Sequence, residues 1–425
     1  MSVSILERTD DYIVLSVKVP FRDTMLETEE SIQTVLNEAG TVASGEALAQ
    51  YDTDGEPLEI AGRSWTSKGQ LPKTYQTPYG AIEVWRHVYQ SSAGGVTYCP
   101  LEMDSRIIVT STPRFAKVIA HKYAEMSGGK VIEDLSENHG RSLPLAFVQI
   151  LAEAVGSIAL AKEEDWHYQT PKQSVPIPTI SVGLDGTCVL LCQEGFRQAM
   201  VGTISLYDAA GERQHTTYIA AAPEAGKAGF LKRLQGEIDQ IKRLYPDAHY
   251  QGLADGAVDN WSFLIPNTDS QMIDFYHATE YLADVAKAVH PRSKAQQKSW
   301  MRDACHDLKH RMGAASDLLQ TMEAIPTPKL SPATQQSLQD AITYFRNHQH
   351  QMDYAEARAN HLPIGSGVTE AACKVLVKAR LGSSGMKWKR TGAEIVLSLR
   401  ALTHTKGRWG QFWDKINRYG CSFVQ

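Results

Sequence analysis

Short apolar runs alternate with turn-rich segments along residues 179–276, and one amphipathic stretch interrupts them. The amphipathic stretch, 229–245, has apolar residues at helical spacing and predicts an α-helix. The apolar runs predict five β-strands, at residues 180–191, 199–207, 214–221, 250–254 and 271–275. A strand–helix–strand order favours parallel pairing through a right-handed crossover. This region therefore predicts an α/β domain built on a mixed sheet.

The apolar spacing is helical throughout residues 277–362. It predicts three helices, at residues 277–289, 299–324 and 334–360. Basic residues are frequent along the first half of this segment: Lys294, Lys298, Arg302, Lys309, His310 and Arg311. They either contact DNA or only keep an amphipathic bundle in solution.

A further helix is predicted around Glu370, in the sequence PIGSGVTEAACKVLVKAR. Ser366 is a favoured N-cap and Gly382 a natural helix end, so we expect a helix over residues 367–380. On a period of 3.6, one face of this helix carries Glu370, Lys374 and Lys378. That face is either a solvated, salt-bridged surface or the place of a functional carboxylate.

The N-terminal part of the chain predicts two segments of different character. Residues 1–100 predict an α+β region of unassigned role, with a strand-like run at 12–17, an acidic helix at 24–37 and a strand at 81–89. Residues 101–165 predict three helices, at 112–126, 130–138 and 143–161. Gly140 lies in the turn before the third helix, which fits either a helix-turn-helix DNA-binding module or a plain helical bundle.

Length and composition describe a soluble globular protein of more than one domain. The chain has 425 residues, of which 43% are hydrophobic and 21% charged. No apolar run approaches the roughly 18 residues that a membrane-spanning helix needs, and the first residues lack the apolar core of a secretory signal. Six scattered cysteines form no disulfide framework and favour reduced thiols. We therefore expect a cytoplasmic protein.

The charge is unevenly distributed along the chain. The net charge of −5 argues against a nucleic-acid partner only when it is read as an average. Residues 363–425 carry eleven Lys or Arg against three Asp or Glu, a balance of +8, which leaves −13 for the remaining residues. The basic surplus is typical of a surface that attracts phosphate groups, and the alternative is a merely exposed basic loop.

Two Asp-Gly motifs come where predicted strands end, GLDGT around Asp185 and GLADGA around Asp255. The plainer interpretation of Asp-Gly is a hairpin turn. The alternative is that Asp185 and Asp255 converge with Glu370 in an oxygen-rich set. Hard divalent ions such as Mg²⁺ require a set of that kind.

These motifs resemble those of bacterial insertion-sequence DDE transposases of the Kra type, distant relatives of the Mutator superfamily. The resemblance covers about residues 180–400 and rests on GLADGA with Trp261, on DFYH at 274–277, and on PIGSGVTEAACK followed by SGMKW. It implies an RNase H-like mixed-sheet core interrupted by an all-helical insertion. The predicted segments are 1–100 (N-terminal α+β region), 101–165 (helical), 179–276 (first part of the core), 277–362 (insertion) and 363–425 (catalytic-Glu helix and basic segment).

The resemblance also implies roles for individual residues. Asp185, Asp255 and Glu370 would be the catalytic triad and would bind two Mg²⁺ or Mn²⁺ ions. Asp274 and His277 match an Asp-x-x-His motif and would orient DNA or a neighbouring carboxylate. The predicted DNA-binding residues are Trp261, Lys374, Lys378, Arg380, Lys387, Trp388, Lys389, Arg390 and Arg400.

The implied activity is DNA transposition, in which hydrolysis at a transposon end releases a 3′-hydroxyl that attacks target DNA. The partner would be double-stranded DNA with terminal inverted repeats, bound by a homodimer or larger assembly at the bacterial nucleoid. Two alternatives stay open, a domesticated DNA-binding or regulatory protein of the same fold and a structure-selective RNase H-like nuclease. For Trp261, core packing is the alternative to stacking on a base.

Overall fold

The computed structural model describes residues 2–91, 93–224, 227–328 and 330–420. Contacts divide the chain into two compact units. The first unit is built from Met1–Tyr168, Ser398–Thr403 and Arg408–Gln425, and the second from Gln169–Leu397 and His404–Gly407. Within the described ranges, every helix is too short or too polar to cross a bilayer.

The first unit begins with an antiparallel pair and a long helix. Strands β1 (Val3–Arg8) and β2 (Ile13–Val17) pair, and α1 (Met25–Ala49) follows. This helix runs beyond the predicted 24–37. Gly40 and Gly45 would weaken an isolated helix, but here they pack against the side chains of Tyr79 and Ile82, and this tertiary packing supports the extra turns.

An antiparallel sheet packs beside α1. Its strands, in the order β3-β4-β5-β6, are β3 (Leu58–Ile60), β4 (Arg63–Gln76), β5 (Ala81–Ser91) and β6 (Thr97–Tyr98). The predicted strand at 81–89 is confirmed as β5. Tyr75 and Val84 of the sheet pack with Leu48 of α1 in a small core.

Four helices follow the sheet: α2 (Pro100–Asp104), α3 (Pro113–Glu125), α4 (Gly128–His139) and α5 (Leu145–Ala161). The last three confirm the helices predicted at 112–126, 130–138 and 143–161. Gly140 ends α4 in the left-handed region, with φ of 60°. A helix-turn-helix role for these helices stays a prediction.

The second unit is organised around a five-stranded mixed sheet, which confirms the predicted α/β class. The strands are β7 (Thr179–Leu191), β8 (Gly195–Tyr207), β9 (Arg213–Ala221), β10 (His249–Ala254) and β11 (Ser270–Ile273), in the order β11-β10-β7-β8-β9. The first three are antiparallel, whereas β10 pairs parallel to both β7 and β11. Helix α6 (Ala228–Leu244) joins β9 to β10 and buries Phe230 and Leu234 against Gly202 of the sheet.

Among the described residues, one short helix lies between β10 and β11, and five more follow between β11 and residue 359. They are α7 (Val258–Leu264, before β11), α8 (Phe275–Val289), α9 (Lys294–His310), α10 (Ala314–Glu323), α11 (Pro332–His348) and α12 (Tyr354–Ala359). The single helix predicted at 299–324 is wrong, because Gly313 adopts φ of 74° and separates α9 from α10. The helix predicted at 334–360 is also broken, and Asp353 caps the new helix α12.

The helix predicted at 367–380 is confirmed. It consists of α13 (Gly367–Ala372), a π-helical segment (Cys373–Lys378) and α14 (Ala379–Leu381), without interruption. Two more helices end the described chain, α15 (Arg390–His404) and α16 (Arg408–Tyr419).

Candidate active site

A cavity of about 270 Å³ in the second unit brings together side chains from four separate parts of the sequence. Its acidic and basic lining residues are Asp185, Asp255, Asp274, His277, Glu370, Lys374 and Lys378. All three predicted catalytic carboxylates therefore line one cavity, which we call the carboxylate cavity.

Asp185 lies within strand β7 and not at its end, which corrects the sequence prediction. It pairs with Val201 of β8, and β7 continues to Leu191 because Val189 and Leu191 are buried in the same hairpin. The hairpin-turn interpretation of this Asp-Gly is therefore wrong. The Asp185 carboxylate accepts hydrogen bonds from the backbone N–H of Gly186 at 2.6 Å and from the thiol of Cys373 at 3.5 Å.

Asp255 follows the last residue of β10, as predicted. Its Oδ1 accepts from the backbone N–H of Ala257 at 3.2 Å and from the Asn260 amide at 3.4 Å. Its carbonyl oxygen accepts from the Tyr344 hydroxyl at 3.1 Å. The next residue, Gly256, has φ of 107°, and a Cβ there would lie 3.1 Å from the Tyr344 ring. Glycine thus lets α11 approach the aspartate closely.

Glu370 is held by close packing of α13 on the sheet. Thr369 hydrogen-bonds Thr203 of β8 through their hydroxyls at 2.7 Å. A Cβ on Gly183 of β7 would lie 2.2 Å from the Thr369 hydroxyl, so only glycine fits there. Glu370 follows directly in the chain, and this contact fixes it relative to β7. The adjoining π-helical segment is of a type that often occurs at functional sites.

Asp274 is fully buried and joins two helices. Its carboxylate caps α8 by accepting from the backbone N–H of His277 at 2.6 Å. It also accepts from the Ser366 hydroxyl at 2.9 Å and from the Ser366 backbone N–H. The Ser366 hydroxyl is therefore used on Asp274 and makes no cap bond to α13. Asp274 thus positions the start of the Glu370 helix.

Burial and mutual repulsion act on the predicted ligands. Burial raises the pKa of Asp185, and the charge of Asp255 raises it further. Burial also raises the pKa of Glu370, with added repulsion from Asp274 and Asp185. Lys378 opposes the first shift and Lys374 the second. A bound cation would relieve this repulsion.

The donor chemistry of the cavity fits a hard divalent ion, because carboxylate oxygens are its preferred ligands. In the part of the chain that the structure describes, no three His, Cys, Asp or Glu side chains already form a metal-binding group. The carboxylates thus line one cavity and repel one another. They would have to move closer together to bind an ion jointly.

Five predicted DNA-binding residues are exposed: Lys374, Lys378, Lys387, Lys389 and Arg390. Arg390 already pairs with Glu194 at 2.6 Å. Trp388 is half-buried, and its backbone bonds Leu190 and Cys192, which attaches this segment to the end of β7.

The other three predicted DNA-binding side chains are buried. Trp261 packs in the core of the second unit, which favours the packing alternative for this residue. Arg380 is buried with its guanidinium 5.0 Å from the Trp388 ring. Arg400 is 2% exposed and pairs with Glu125 at 3.0 Å. Because these three side chains are buried, their predicted contact with DNA is wrong. The sequence alone does not distinguish exposed side chains from buried ones.

Sequence reasoning missed Cys373, Tyr344 and the contact of Ser366 with Asp274. Only Cys373 carried a signal, since it lies three residues after Glu370 and so on the same side of the helix.

No protein-family model matches this sequence, and no curated protein is significantly similar to it. The carboxylate cavity itself is therefore the basis for assigning a function.

Proposed function

We propose that the protein is a DNA transposase that cleaves transposon ends and transfers the released 3′-hydroxyl into target DNA. The observation that carries this proposal is the convergence of Asp185, Asp255 and Glu370 on one cavity, although they lie on three elements far apart in sequence. The strand order β11-β10-β7-β8-β9, with two parallel and two antiparallel pairings, supports it too. An RNase H-like core, as the motifs imply, requires this kind of mixed sheet.

Asp185, Asp255 and Glu370 would hold two Mg²⁺ or Mn²⁺ ions. When bound, such ions activate the attacking oxygen and stabilise the leaving oxygen of an in-line phosphodiester exchange. The raised pKa values of Asp185 and Glu370 support a cation-binding role, since a cation favours the charged carboxylate.

Two lysines of the same helix would bind the DNA phosphate at the reaction centre. Lys374 and Lys378 are exposed and line the carboxylate cavity with Glu370. Lys387 and Lys389 lie exposed further along the chain and would contact the DNA backbone. Asp274 would be a positioning residue, because its carboxylate accepts a hydrogen bond from Ser366 at the start of the Glu370 helix.

The test uses the full-length protein and a supercoiled plasmid that carries the gene with its natural flanking DNA. We expect cleavage at the element ends and joining to target DNA, both dependent on Mg²⁺ or Mn²⁺. Asp185→Asn should reduce both to background, because it removes a charged ligand. Asp259→Asn changes an exposed carboxylate of α7 outside the cavity and is the matched control.

The products separate the alternatives. A structure-selective nuclease would cut branched DNA without joining a 3′ end, and a regulatory protein would bind the flanking DNA without cutting it. If Asp185→Asn cleaves as well as the wild-type protein, the assignment of the first ligand is wrong.

A further inference from the structure

A second cavity, of about 510 Å³, lies in the first unit and has no part in the proposed cleavage reaction. It is lined by the end of α1, the turn between β4 and β5, the start of α3 and part of α16. We call it the aromatic cavity and define it by Tyr51, Tyr79, Arg114, Lys117, Trp413 and Asn417. Its volume falls in the range of small-ligand sites.

Two polar groups that line this cavity have no partner. Trp413 is 3% exposed, and its indole N–H finds no acceptor among the described residues. The buried hydroxyl of Thr112 is also without a hydrogen bond there. Both atoms are fully buried, so a ligand in the cavity would reach them only if the cavity wall shifted on binding. Because buried polar groups in proteins are nearly always hydrogen-bonded, the two unmet hydrogen bonds favour such a shift.

The two tyrosine rings of the cavity are exposed, and Tyr79 is also held in place. Tyr51 and Tyr79 are each 46% exposed. A Cβ on Gly40 of α1 would lie 2.4 Å from Cγ of Tyr79, so the ring rests directly on the glycine. The Thr77 hydroxyl accepts from the backbone N–H of Tyr79 at 3.1 Å and fixes the turn. Such rings offer flat faces for a planar aromatic group.

The charged lining residues of the cavity are Arg114, Lys117 and Asp414, a balance of one positive charge. Arg114 and Lys117 lie at the start of α3, and neither makes a hydrogen bond or ion pair with a described side chain. The N-terminus of this helix adds partial positive charge. An anionic group on the ligand would satisfy these cations.

We propose that the aromatic cavity binds a nucleotide. The base would lie against Tyr51 and Tyr79, and its phosphate would bind Arg114 and Lys117. A shift of the wall on binding would bring the buried Trp413 indole N–H to the edge of the base. The nucleotide is either free in solution or an unpaired nucleotide of a DNA strand. The argument depends only on residues of the first unit and stands apart from the catalytic role of the carboxylates.

The test follows the Trp413 indole N–H by NMR in full-length protein with ¹⁵N-labelled tryptophan. Its resonance is assigned with Trp413→Phe, and the protein is titrated with AMP and separately with a single-stranded oligonucleotide. We expect a saturable shift of this resonance. Arg114→Glu combined with Lys117→Glu should weaken binding by about tenfold or more, because it reverses both charges at the phosphate position.

Two variants make the result specific. Lys130→Glu reverses an exposed charge of α4 outside the cavity and should leave the affinity unchanged. Tyr51→Ala preserves every charge and should weaken binding through lost stacking. A response to AMP that equals or exceeds the response to oligonucleotide would show that a free nucleotide is sufficient, and a response to oligonucleotide alone would identify a DNA strand.

The proposal is overturned if neither probe at millimolar concentration moves the Trp413 resonance. Asp185→Asn should bind like the wild-type protein. A loss of cleavage with an intact Trp413 response therefore concerns the carboxylate cavity alone, and the reverse result concerns only the aromatic cavity.

Discussion

The carboxylate cavity and the aromatic cavity lack opposite kinds of partner. In the first, Asp185 and Glu370 repel neighbouring acids, and burial raises the pKa of each. In the second, the Trp413 indole N–H has no acceptor, and Arg114 has no acidic partner among the described residues. The first cavity is therefore complementary to a cation. The second has two basic side chains against one acid, Asp414, which leaves an excess of positive charge for an anionic group.

The two cavities also differ in how they are held together. Asp274 accepts three hydrogen bonds and connects the start of α8 to the start of α13. The hydroxyl of Thr112, in contrast, makes no bond that stabilises the aromatic cavity. The comparison teaches that a buried polar group either stabilises its cavity through hydrogen bonds or leaves its hydrogen-bonding capacity unused. The loss of stability on substitution distinguishes the two cases.

The largest effect is expected for Asp274→Ala. This change leaves three donors, two of them buried, without their acceptor, so we expect the free energy of unfolding to fall by about 3–5 kcal/mol. Urea denaturation measures it. Mn²⁺ affinity should also fall, because the helix that carries Glu370 loses its anchor, and titration calorimetry measures that loss.

Thr112→Val is the counterpart in the aromatic cavity. It replaces an unsatisfied hydroxyl with a methyl group of similar shape, so stability should change by less than about 1 kcal/mol or rise. Comparable losses from the two substitutions would contradict the distinction between the cavities.

A smaller effect is expected for Gly183→Ala in β7. The added Cβ would meet the Thr369 hydroxyl at 2.2 Å and push α13 away from the sheet. We expect a loss of about 1–3 kcal/mol, as for overpacked cores, together with weaker Mn²⁺ binding. Both are measured as for Asp274→Ala.

Gly236→Ala is the matched control for this substitution. Gly236 lies in helix α6 of the same unit, and a Cβ there meets nothing within 4 Å. Alanine is the better helix former, so stability should rise by about 0.5–1 kcal/mol. A loss at Gly236 similar to that at Gly183 would show that steric contact with Thr369 is not the cause.

Local patterns in the sequence predicted most of the second unit. Apolar runs gave the five strands, helical spacing gave α6, and Ser366 with Gly382 bounded the Glu370 helix within a residue or two. These features depend on neighbours a few positions apart, which one sequence displays. The same is true of Asp255, whose place after β10 follows from the end of an apolar run.

The parts that sequence reasoning missed depend on distant contacts. Asp185 was expected at a strand end, but β8 pairs with β7 well beyond it. The bond between Asp274 and Ser366 joins positions 92 residues apart. Arg400 was expected on a DNA surface, and its pairing with Glu125 has no local signal. Tertiary partners of this kind are not encoded in local periodicity.

The smallest effect is expected in the pH dependence of stability, and it follows from the raised pKa of Asp185. The folded protein binds a proton here at a pH where the unfolded chain, with an ordinary Asp pKa of about 3.9, has already lost it. The contribution of this group to the free energy of unfolding is therefore greatest at low pH and declines as pH rises through the raised pKa. Asp185→Asn removes the decline, so its stability relative to the wild-type protein should grow as pH rises above the ordinary Asp pKa of about 3.9. Asp259→Asn, at an exposed position, should show no such trend.

Saturating Mg²⁺ should make the wild-type protein more stable than Asp185→Asn at pH 7. It would stabilise only the wild-type protein, because a ligand stabilises the state that binds it. Thermal denaturation at a series of pH values measures both effects, and a constant difference between Asp185→Asn and wild type would contradict the raised pKa of Asp185.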